Sequence, residues 1–179
     1  MVGLGNPGPK YEKTRHNAGF IIVEKLQNYL LKAGHDFTNF SFIPKHQTEL
    51  STGRVQNEKL ILAKPQTYMN DSGRAISSLV NFYKINPEKD LFIIYDDIDL
   101  PLGKIRSTGK SAGGHKGMES IINSLNTSNI QRFRIGILGK SKNDINDTSR
   151  YVLKNFSKKE LAQINSAALE IFSLTVNLF

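Results

Sequence analysis

Residues 91–106, LFIIYDDIDLPLGKIR, decide the fold. Leu91 to Tyr95 form an apolar run of strand length with no polar alternation, which is how a strand buried on both faces reads. The run ends in Asp96, Asp97 and Asp99, acids delivered to the carboxyl end of a strand, where open α/β sheets build their sites. Two similar runs, Leu60 to Ala63 and Arg134 to Leu138, are separated from it by stretches of helical spacing. This alternation predicts an α/β protein: a single-domain three-layer sandwich over residues 1–179, with a mixed, mostly parallel sheet flanked by helices.

The helical stretches run over residues 18–31, 73–83 and 117–125, each with one apolar stripe, such as Phe20, Val23, Leu26 and Leu30 in the first. Such stripes are core. A last helix starts after Ser157, whose S-x-x-E spacing to Glu160 is a capping box. Asn86-Pro87 reads as an N-cap followed by proline at the first helical position. Residues 139–146 read as a polar, mobile loop.

Composition narrows the function. The 179 residues are 39% hydrophobic and 22% charged, ordinary for one globular domain. No apolar run approaches the roughly 20 residues that cross a bilayer, and no basic-then-apolar leader opens the chain, so a cytoplasmic protein is expected. The absence of cysteine excludes disulfides, thiolate metal sites and a cysteine nucleophile. The net charge of +8 is unevenly spread: residues 100–159 hold 12 of the 24 Lys and Arg against three acids, Glu119, Asp144 and Asp147. A phosphate-tracking surface needs that imbalance, and a solvated lysine-rich face accounts for it equally well.

Gly3, Gly5 and Gly8 spell G-x-G-x-x-G, the dinucleotide spacing. That reading fails here. Only Met1 and Val2 precede the motif, and Pro7 and Pro9 remove amide donors that phosphates would use.

Four stretches taken together, GLGNPGPKYEKTRHNAGF (3–20), KPQTYMNDSGRA (64–75), LFIIYDDIDLPLGKIR (91–106) and SAGGHKGMESI (111–121), resemble bacterial peptidyl-tRNA hydrolases in order and separation. The resemblance spans nearly the whole chain and implies a cofactor-independent esterase that frees tRNA from a peptide joined to its terminal ribose. It implies peptidyl-tRNA as partner and a monomer; Asp96, Asp97 and Asp99 also read as a solvated turn or a hard-cation site, but the sequence places no convergent oxygen ligands beside them, so no metal is expected. His16 matches the family's base, a suitable choice because histidine titrates near working pH. Asp96 matches its orienting carboxylate; strand alternation puts Asp96 and Asp97 on opposite faces, so only one of them can readily reach His16. Asn6 matches a catalytic asparagine, and Asn70, Tyr11, Tyr68, His115 and Lys116 fall at substrate-binding positions. Lys104, Arg106 and Lys110, with Arg132 and Arg134, are where phosphate contacts are sought. His35 and His46 match no motif and read as loop residues.

The chain departs from the family pattern in three places. The usual G-G-H-N-G reads Gly113-Gly114-His115-Lys116-Gly117, so a lysine replaces an asparagine. The loop after Gly103 is one residue shorter, with Ser107 and Thr108 near the expected basic position. The first strand lacks most of its usual apolar residues, so either it is short or residues are missing before Met1. The rival reading is a non-catalytic RNA-binding module on the same fold; a generic serine hydrolase is weaker, because no serine is tied to His16 by a motif.

Overall fold

The two residues Val2–Gly3 (β1) are the centre of the sheet: Val2 pairs in parallel with Ala63 on one side and Ile93 on the other. The computed structural model describes residues 1–139, 141 and 145–177. Around β1 lie β2 (Ser41–Ile43), β3 (Thr48–Val55), β4 (Glu58–Pro65), β5 (Phe92–Pro101), β6 (Ile105–Arg106) and β7 (Gln131–Leu138), in the order β2-β3-β4-β1-β5-β7-β6. The sheet is mixed, as expected, but less parallel than expected. Three pairings, β4-β1, β1-β5 and β5-β7, are parallel and hold the centre, and three antiparallel pairings build the edges.

Helices cover both faces. On one face α1 (Ala18–Lys32) and α5 (Lys158–Asn177) bury Ile22, Leu26, Leu30, Ile164 and Ile171 against Ile94 and Ile135. On the other, α2 (Ser72–Tyr83) and α3 (Lys116–Leu125) bury Ile76, Met118 and Ile121 against Ile93 and Tyr95. Each such large apolar side chain contributes about 1.5–3 kcal/mol by leaving water. A short helix, α4 (Thr148–Val152), precedes α5. Ser157 and Glu160 close the capping box ahead of α5, with Ser157 N donating to Glu160 Oε2 at 2.7 Å and Glu160 N to Ser157 Oγ at 3.3 Å.

The helix expected after Asn86-Pro87 is a single turn. Asn86 Oδ1 accepts from Glu88 N and Lys89 N as a cap would, but β5 begins at Phe92 and leaves no room for a second turn. His46 is buried, with Nδ1 2.7 Å from Ser78 Oγ, and not the loop residue its surroundings suggested. Of the polar loop 139–146, residues 140 and 142–144 lie outside the described residues.

Glycines set the distance between α1 and the sheet. A Cβ on Gly19 would stand 2.3 Å from Ile94 O and 2.4 Å from Leu4 N, and one on Gly3 would stand 2.2 Å from Gly19 O. Backbone therefore lies on backbone. The start of α1 is pressed onto β1 and β5, which carries the residues just before it to the carboxyl end of β5.

Candidate active site

Strand β5 continues past its apolar run through Asp96 and Asp97, and alternation sends the two carboxylates to opposite faces. Asp97 receives Arg134 Nε at 2.6 Å from the neighbouring strand. Asp96, only 3% exposed, turns to the other side and meets His16, whose Nδ1 lies 2.9 Å from its Oδ1. His16 sits in the 3-10 turn Arg15–Asn17 directly before α1. The turn is anchored from behind: Arg15 donates to Glu160 Oε1 at 2.8 Å and to Asn155 O at 3.1 Å, with its guanidinium over the Tyr151 ring. Asn17 then brackets the following element of the site, accepting from Asn6 N and donating to Asn6 O, both at 2.9 Å.

A second imidazole shares the same carboxylate oxygen. His115 Nε2 lies 3.0 Å from Asp96 Oδ1, and its Nδ1 accepts the Met118 amide at 3.2 Å, capping α3. An acceptor at Nδ1 requires the ring proton at Nε2, so the network assigns His115 as a neutral donor to Asp96. His16 donates through Nδ1 and keeps the Nε2 lone pair for another partner. The two rings lie 5.0 Å apart.

Burial alone would raise the Asp96 pKa, but attraction to His16 and the ring N–H hydrogen bonds from both imidazoles outweigh it and hold the carboxyl well below the usual range. Burial likewise disfavours charged His16. Asp96 outweighs both that and the neighbouring Lys116 ammonium, so the His16 pKa is raised above its ordinary 6.5. His16 is thereby an ionisable base held in one tautomer by a carboxylate that stays ionised.

The pair opens on a cavity of about 620 Å³. Asn6, Tyr68, Asn70 and Lys116 line it with polar groups, while Ile98 and Leu153 are part of its apolar wall. Asn6 Oδ1 accepts the Met69 amide at 2.9 Å, which leaves Nδ2 as the donor of this side chain. His16, Asp96 and His115 offer one ligand atom each within 4.8 Å of one another, the set best placed to hold a metal ion among the described residues. Asp96 Oδ1 already takes a ring N–H from each side, an arrangement suited to fixing protons.

A family model described as peptidyl-tRNA hydrolase matches residues 1–178. The chain belongs to the peptidyl-tRNA hydrolase family. Among peptidyl-tRNA hydrolases, that of Aquifex aeolicus is 45% identical over 161 residues, 89% of this chain and 79% of the relative. That of Thermoanaerobacter sp. is 43% identical over 179 residues, covering 99% and 91%. The crystal structure of peptidyl-tRNA hydrolase from Acinetobacter baumannii superposes with a TM-score of 0.82 at 35% identity, covering 99% of this chain and 85% of that one.

The family motifs bring most of the sequence-selected residues to this cavity, with corrections. Tyr11 does not line it; its ring lies under the Lys10 ammonium, 4.7 Å away. His115 lines it but has both ring nitrogens engaged within the protein, so it has no free one to offer a substrate. Arg132 is no phosphate contact: it is 2% exposed and its guanidinium donates to the carbonyls of Ile130, Ser111 and Ser128. Arg134 reaches the cavity with its charge matched by Asp97, whereas Lys104, Arg106 and Lys110 are exposed.

Gly109-Lys110-Ser111-Ala112-Gly113 carries the letters of a G-x-S-x-G nucleophile elbow. That elbow needs a strand running directly into the serine. Here β6 ends at Arg106, Ser111 sits in an irregular stretch, and its hydroxyl is hydrogen-bonded to neither His16 nor His115. The sharing of Asp96 by His115 went unread; the G-G-H run directly before a helix was its only trace.

Proposed function

We propose that this protein hydrolyses the ester between a peptide, or an N-blocked amino acid, and the 3′-terminal ribose of tRNA. The observation that carries the reading is the His16–Asp96 pair, with Nε2 of His16 left free beside a cavity lined by both polar and apolar groups. Water bound at Nε2 gives up a proton as its oxygen attacks the ester carbonyl. The tetrahedral intermediate then expels the ribose oxygen, which takes the proton back from His16, so the peptide leaves as its carboxylic acid and tRNA is freed with its ribose hydroxyl restored. Asp96 holds the reactive tautomer and offsets the charge that appears on the ring. In this reading the Asn6 amide and exposed Asn70, which line the cavity, donate to the acyl group and the developing oxyanion, and Tyr68 packs against the substrate.

Lys104, Arg106 and Lys110 supply exposed cations for tRNA phosphates, and Lys110 directly precedes Ser111, a residue of the cavity lining. In this reading the protein works as a cytoplasmic monomer without a cofactor. No helix among the described residues is long and apolar enough to cross a membrane. The test is to incubate the purified protein with N-acetyl-aminoacyl-tRNA in the presence of EDTA and follow release of free tRNA. Cleavage is expected; binding of tRNA without cleavage would favour the non-catalytic RNA-binding module, and inactivation by EDTA reversed by a divalent ion would turn His16, Asp96 and His115 into a metal site.

A further inference from the structure

A buried carboxylate that met His16 alone would hold the imidazolium so firmly that the ring stayed protonated at working pH. A protonated ring takes no proton from water. Asp96 does not meet His16 alone: His115 Nε2 donates to the same Oδ1, at 3.0 Å against 2.9 Å for His16. The second ring is held in that posture. Its Nδ1 is engaged by the Met118 amide, and the rings of Tyr95 and His16 lie 4.8 and 5.0 Å from it.

The charged groups around His16 come from a few elements. β5 brings Asp96, Asp99 and Asp97, the last paired with Arg134 of β7; the head of α3 brings His115 and Lys116. The phenols of Tyr68 and Tyr95 line the same cavity. Arg15, beside His16 in the turn, is tied to Glu160, the first turn of α1 carries no charge, and α4 lines the cavity with uncharged side chains. Only His115, among the described residues, joins His16 on the Asp96 oxygen.

We propose that His115 is a positioning residue for the hydrolysis, acting through Asp96: its N–H takes up part of the carboxylate's charge and so keeps His16 from being held permanently as the imidazolium. This rests on the esterase reading and adds to it what sets the strength of the base. The sign is distinctive. A site that merely loosened would part His16 from Asp96 and let it lose its proton more easily. Removing the His115 donor leaves the whole carboxylate charge on His16 and makes the proton harder to lose.

Two variants isolate the donor. His115→Leu fills much of the ring's space and donates nothing, whereas His115→Gln can place an amide N–H where Nε2 stood; both give up the ring that caps α3. The His16 ring is titrated by NMR in the wild type and in each variant. His115→Leu should raise the pH at which His16 loses its proton by roughly half a pH unit, and His115→Gln should leave it near that of the wild type. A His16 titration unmoved or lowered in His115→Leu, or raised equally in both variants, overturns the proposal. The wild type alone decides if the variants do not fold: His115 is expected to stay neutral, with its proton on Nε2, over the range in which His16 titrates, and an imidazolium at His115 in that range overturns the proposal. The acid limb of N-acetyl-aminoacyl-tRNA cleavage should follow His16 in each protein. Absence of cleavage by the wild type overturns the esterase reading, while the NMR titration still decides whether His115 draws charge from Asp96.

Discussion

Replacing Asp96 with asparagine tests the centre of the site with the least change of shape. The amide oxygen can still accept from both rings, so the side chains stay near their places and the charge alone is lost. A unit charge 2.9 Å from the His16 ring is worth about 5–6 kcal/mol at an effective dielectric of about 20. That sets a ceiling near 10⁴ in rate, since about 1.4 kcal/mol is tenfold. Part of it is offset because Asp96 also serves His115 and both groups are desolvated, so the loss in kcat is expected at about 10³-fold. The assay is release of tRNA from N-acetyl-aminoacyl-tRNA across a pH series. In the wild type the rate falls as acid protonates His16 below its raised pKa; in Asp96→Asn the plateau drops and the limb moves to lower pH. A plateau within about tenfold of wild type, or an unmoved limb, would refute the reasoning.

The same pair governs stability against pH. Asp96 titrates lower when folded, so its contribution is present above the unfolded value of about 3.9 and is lost as pH falls through the folded one. His16 titrates higher when folded, so its contribution is whole below 6.5 and is lost as pH rises through the raised value. The difference in Tm between wild type and Asp96→Asn is therefore expected to be widest between about pH 4 and 6.5 and to narrow on both sides.

His16→Ala should lower kcat by about 10²–10⁴-fold while leaving tRNA affinity within a few-fold, as measured by filter binding, because it removes no phosphate contact. Ser111→Ala should retain activity within about threefold; a loss as large as that of His16→Ala would restore the serine-hydrolase reading. Gly19→Ala puts a methyl into the Ile94 carbonyl and Leu4 amide, and urea unfolding should show a loss of at least about 3 kcal/mol.

Much of the fold was legible because periodicity reports burial. The run from Leu91 to Tyr95 announced a strand of the parallel centre, the stripes on α1, α2 and α3 announced the faces they bury, and alternation set Asp96 and Asp97 on opposite faces, with the family motif choosing between them. Depth of charged residues was not legible. Arg132 reads as a cation in a basic stretch, and only the fold brings the Ser111 and Ser128 carbonyls around its guanidinium. Residues 58–59 and 64–65 extend β4 beyond its apolar core, and β3 escaped notice because Thr48, Glu49, Ser51, Thr52 and Arg54 leave it no apolar run. The link from His115 to Asp96 went unread for a related reason: it is set by a proton count at Asp96 Oδ1, which spacing does not encode.

That single oxygen joins all three layers. It belongs to the sheet, one of its donors sits at the threshold of α1, and the other caps α3 on the opposite side. Neither outer layer can loosen without taking a donor away, so hydrolysis requires both helical layers seated at once. Activity is then a gauge of assembly more sensitive than helix content: under mild denaturant it should vanish while most of the far-ultraviolet signal remains, and a ligand that pins α3 should shield α1 from opening.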